Sequence, residues 1–77
     1  MMTDDELLKI IDEQHLWIVP VGMTVAACST LREALRRAYQ ISAEGKSPGP
    51  IKLMPDAAVE VPVEQICRLW QSIGLRR

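Results

Sequence analysis

The side chains with the widest chemical reach in this chain are two cysteines, one histidine and a cluster of three arginines. Cys28 lies just before a predicted helix start, where Thr30 and Glu33 have capping-box spacing, and the helix dipole there can lower a thiol pKa. A thiol-dependent enzyme built on Cys28 needs a base, and His15, the sole histidine, would have to reach it through the fold. Cys67 forms no CxxC pair with it, so neither a zinc site nor a dithiol motif is indicated and both thiols read as structural. His15 has no Cys or acidic partners at ligand spacing and reads as a hydrogen-bonded boundary residue. Gly45-Lys46-Ser47 resembles the end of a phosphate loop, but the preceding glycine is missing and a helix ends there instead of beginning. With no GxGxxG, Walker or GxSxG pattern either, the expectation is no enzyme, no catalytic residue, no cofactor and no metal.

Arg32, Arg36 and Arg37 form the strongest basic surface, on the outer side of the same predicted helix. Glu33 and Glu44 are expected to pair with part of it. A nucleic-acid accessory role would require Lys46, Lys52 and Arg68 to join that face, while the aromatic residues needed for base stacking belong to apolar stripes. Net charge is −1, with an acidic start over 1–15 and a basic excess over 31–77, short of the basic stripe that nucleic-acid binding calls for. Nucleic acid is therefore an unlikely partner and ranks second, with thiol chemistry at Cys28 third.

The elements that must position these residues are legible from periodicity. Thr3 and Glu6 repeat the capping-box spacing, and Leu7, Leu8, Ile10 and Ile11 share one arc, predicting a helix from Thr3 to near Gln14. Leu16 to Val21 reads as a strand and Gly22 as a turn, with Met23 to Cys28 returning as a second strand. A second helix follows Thr30, with Leu31, Ala34, Leu35, Ala38, Tyr39 and Ile41 on one face, and ends at Gly45. Residues 46–50 form a Pro/Gly loop. Ile51 to Met54 and Val59 to Val61 then alternate as strands around a turn at Pro55 to Ala57, with Lys52 opposite Glu60. Pro62 opens a last helix bearing Val63, Ile66, Cys67, Leu69, Trp70 and Ile73 on one face and capped by Gly74.

The predicted order is αββαββα, an α+β fold with an antiparallel sheet of about four strands in two hairpins and three helices mainly on one face. A chain of this length has interior for a single compact domain over 1–77, and the apolar fraction of 48% is that of a packed globule rather than a disordered chain. The longest apolar run, Leu16 to Val21, is far below the roughly 20 residues that span a bilayer, and the acidic start does not resemble a secretory signal. A cytoplasmic location, with no membrane partner, is the expectation.

Helices on one face leave the other in water, and only the second hairpin has the polar alternation suited to that. Leu16, Trp17, Ile18, Val19 and Val21 place apolar groups on both sides of one strand. Either the first helix or the Pro/Gly loop covers the second side, or another chain does. The favoured reading is a structural or protein-interaction module that self-associates as a homodimer through this hairpin, with Trp17 or Val19 as anchor; a different protein partner is the alternative.

Overall fold

A computed structural model describes residues 2–54 and 59–74. Its elements are α1 (Asp4–Lys9), β1 (Leu16–Val21), β2 (Thr24–Cys28), α2 (Leu31–Ala43), β3 (Ile51–Met54), β4 (Glu60–Val61) and α3 (Val63–Gly74). This is the α+β fold read from the sequence: three helices and a four-stranded antiparallel sheet. The expected loop at Pro55 to Ala57 lies outside the described residues.

The sheet order is β2-β1-β3-β4, so the two hairpins join through their first strands. Gly22 and Met23 form a two-residue turn with Gly22 at φ +60° and no positive φ at Met23, and Val21 closes the hairpin opposite Thr24. Glycine at the first central position suits the type II′ turn that matches strand twist. Trp17 lies opposite Cys28 on one side and Leu53 on the other, and Lys52 faces Glu60 as the alternation predicts.

One face of this sheet carries Trp17, Val19, Cys28, Ile51 and Val61, all buried. Leu31, Ala34, Leu35, Ala38 and Ile41 of α2, Ile66 and Leu69 of α3, and Leu7 and Ile11 from the N-terminal segment complete the core. Both long helices reach it by one amphipathic stripe, as their 3.6-residue periodicity requires.

The first helix is shorter than its periodicity suggests. Thr3 and Glu6 form a full capping box, but the helix stops at Lys9 with Ile10 as C-cap at φ −107°. Beyond it, the Ile11 carbonyl accepts the Arg32 backbone N–H at 3.1 Å. That bond satisfies an orphan donor at the start of α2, and tertiary pairing thus replaces the next helical turn. Thr30 accepts from the Glu33 backbone N–H, while the Glu33 carboxylate takes the Ser29 hydroxyl at 2.9 Å, so only half of a capping box forms.

In α3, Ile66 and Leu69 turn inward, but Val63 and Cys67 are exposed and the buried polar residue is Gln65. Its amide donates to the Met2 carbonyl at 3.0 Å and to Asp4 Oδ1 at 2.7 Å. Arg68 adds two bonds to the same Asp4 carboxylate, at 3.1 and 3.2 Å. The N-terminal segment is thus fastened to α3 by polar contacts that no apolar stripe announces.

Candidate interaction surface

The strand pleat divides the residues proposed for self-association into two sets. Trp17 and Val19 point into the core at 0% exposure, packed beneath the helices, and Val21 shares their side and packs against the core. Trp17 and Val19 are therefore not available as interface anchors, which corrects that expectation: each is already enclosed by its own chain. Leu16 and Ile18 point the other way, with Leu16 48% exposed.

The outer face is wider than the first strand. Strand alternation and register put Leu16, Ile18 and Pro20 of β1 beside Val25 and Ala27 of β2 and Met54 of β3, with Lys52 and Glu60 at the far side. Val25 is 64% exposed. Among the described residues no helix lies on this side, and the Pro/Gly loop meets the sheet at its end, where the Gly49 backbone N–H donates to the Pro20 carbonyl at 2.9 Å and Pro48 bridges to Val21. Val25 and Ala27 carried no signal of their own, because a short strand of small residues suits a buried or an exposed position equally.

The basic surface is not a free arginine row. Arg32 makes a bidentate pair with Asp12, Nε to Oδ1 at 2.7 Å and Nη2 to Oδ2 at 3.1 Å, and this hydrogen bonding holds the Asp12 carboxyl below its ordinary range. The expected partners were Glu33 and Glu44; the actual one comes from the segment before β1. Arg36 and Arg37 stay exposed on α2 and, with Glu33 and Gln40, flank Ala27 and Cys28 of β2. Carboxylate and guanidinium are mixed on that flank, which does not suit a polyanion.

Cys28 and His15 do come near one another, lining a shallow depression of about 530 Å³ with Gln14, Leu16, Ala27, Ser29 and Glu33. His15 lies outside any helix and its Nε2 sits 3.1 Å from Glu13 Oε1. Cys28 is buried, and burial first and the Glu33 charge second push its thiol up, the opposite of what a nucleophile needs. Cys67 is the exposed thiol. It lines an apolar groove of about 370 Å³ between α2 and α3, at whose edge Tyr39 stacks on Trp70 with centroids 4.7 Å apart. Tyr39 was expected in the core, yet it is half exposed, because its ring lies over Trp70 at the rim of the helix pair.

Among the described residues no group of His, Cys, Asp and Glu could hold a metal ion, and no helix is long and apolar enough to cross a membrane. In comparisons with known protein families, curated proteins and solved structures, the chain matches none.

Proposed function

We propose that this chain is a small protein-interaction module that self-associates as a homodimer through its first hairpin, using the outward residues Leu16, Ile18 and Val25. The observation that carries the reading is the apolar outer face of β1 and β2, where Leu16 and Val25 stand exposed while the core residues of the described helices cluster with Trp17 and Val19 on the opposite side. A domain this small has limited interior, and a second copy extends it by covering surface that is otherwise wetted. Antiparallel sheets tolerate water on one face when that face is polar, and among the described strand residues this face is polar at Lys52 and Glu60 alone.

The test is the solution mass of Leu16→Glu/Val25→Glu beside the unmodified chain. Both positions are exposed, so the double variant keeps its circular dichroism spectrum while losing the dimer. A dimer that survives both changes overturns an association through the outer face and leaves only one through the hairpin's edge.

A further inference from the structure

The two edges of the sheet differ in a way that specifies how a second copy would bind. The β4 edge has two residues, one of them Glu60, and is followed by Pro62. Shortness, charge and proline are the usual protections against edge pairing. The β2 edge has none of them: Thr24, Val25, Ala26, Ala27 and Cys28 are five extended residues without charge or proline.

Hydrogen-bond parity shows which β2 groups face outward. The two-residue turn makes Val21 and Thr24 the closing hydrogen-bonded pair, so Val19 with Ala26 and Trp17 with Cys28 follow as bonded pairs. Pro20 with Val25 and Ile18 with Ala27 are the non-bonded pairs between them. Pro20 agrees with this, since its carbonyl turns away from β2 to accept from Gly49. The N–H and C=O of Val25 and Ala27 therefore point off the open edge, where the described residues supply no further strand.

We infer that β2 pairs antiparallel with β2 of a second copy about a two-fold axis at Ala26, joining two four-stranded sheets into one of eight. This rests on the proposed self-association of the first hairpin but places the contact at its open edge: the second copy extends the sheet, and Leu16 and Ile18 remain on the outer face. In this register Val25 lies opposite Ala27 of the second copy, so the four outward groups of each strand make four N–H···O bonds in all. Val25 meets the smaller Ala27 on either side of the axis, Ala26 meets its own copy at the centre, and no charge is buried. The same two-fold axis brings the α2 flanks side by side in antiparallel sense, each carrying Glu33 with Arg36 and Arg37, so opposite charges can meet across the axis. The contact is isologous and uses the unprotected β2 edge on both copies, so it closes at two copies instead of propagating.

Amide hydrogen exchange of the unmodified chain, read residue by residue at high and low concentration, tests the geometry directly. The expected result is protection of the Val25 and Ala27 amides that rises with concentration by tenfold or more, while the Ala26 amide, bonded to β1, stays protected throughout. Val25→Pro provides the second arm, because it deletes an N–H that β1 does not use: the variant should remain folded and become monomeric. A chain that is monomeric at every concentration overturns both the self-association and this geometry. A dimer whose Val25 and Ala27 amides exchange freely, or that survives Val25→Pro, overturns the edge pairing alone and leaves an association through the face. If Val25→Pro fails to fold, the exchange pattern of the unmodified chain decides.

Discussion

Trp17 and Ile18 are neighbours in sequence and opposites in structure, and truncating each in turn tests the placement of β1. Trp17 is fully buried under the helices, whereas Ile18 faces outward and is only partly covered. Trimming a buried Trp to Ala costs about 3–5 kcal/mol in transfer and cavity terms. At about 0.05–0.15 kcal/mol per residue, a chain of 77 residues has a total stability of roughly 4–12 kcal/mol. Trp17→Ala therefore removes a large share of it, and at about 4–8 °C per kcal/mol its melting temperature falls by at least about 12 °C. Ile18→Ala removes side chain that is partly wetted in the monomer and costs about 1 kcal/mol. Urea unfolding followed by circular dichroism, with all chains at one fixed concentration because association adds to apparent stability, gives both numbers. A Trp17→Ala loss of unfolding free energy no larger than that of Ile18→Ala would refute the inward placement and restore Trp17 as a surface anchor. Trp17→Phe refines the test: the indole Nε1 has no hydrogen-bond partner among the described residues, so losing it offsets part of the lost packing and the cost stays below that of alanine.

Three further outcomes follow from named contacts. Iodoacetamide should modify Cys67 well before Cys28, since the first thiol is exposed and the second is buried with its ionisation disfavoured; peptide mass spectrometry over time reads the order, and equal or reversed rates would contradict it. Acid should destabilise the fold through Asp4, Glu6 and Asp12, which are held below their ordinary range by the Arg68 guanidinium and Gln65, by Thr3, and by Arg32 respectively. Because their folded pKa values are depressed, the stability they add is present above the ordinary carboxylate range near about pH 4 and is lost as pH falls through it toward the lowered values, so melting temperature should fall there and Asp12→Asn should flatten part of the fall. Gly22→Ala meets no atom within 4 Å of the added Cβ, so its cost is that of a left-handed backbone alone, about 1–2 kcal/mol; an unchanged melting temperature would show that the turn has another conformation.

The helical and hairpin framework was legible because its signals are local. The α2 stripe from Leu31 to Ile41, the Gly22 turn and the Lys52–Glu60 pairing each follow from periodicity or turn chemistry within a few residues. The orientation of β1 was not legible, because Leu16, Trp17, Ile18 and Val19 are all apolar and strand alternation carries information only when the two faces differ. Which face turns inward is decided by the helices, whose stripes meet Trp17 and Val19. The early end of α1 was hidden for the same reason: Ile10 and Ile11 continue the helical arc, and only the bond from the Arg32 backbone N–H to the Ile11 carbonyl explains the break. Gln65 and the Asp12–Arg32 pair were missed because their partners lie far along the chain, beyond the reach of any spacing rule. On the outer face, Leu16 and Ile18 point away from the core, and Val25 and Ala27 are placed beside them only by the strand register.

The most direct test of the central claim is the absolute mass of the unmodified chain by sedimentation equilibrium, over a dilution series into the low micromolar range. The account predicts a species of twice 8.6 kDa that dissociates on dilution, because the first hairpin meets a second copy of itself. A mass of 8.6 kDa at every concentration would contradict it, and would mean that the outer face of β1 and β2 stands in water without a copy to cover it.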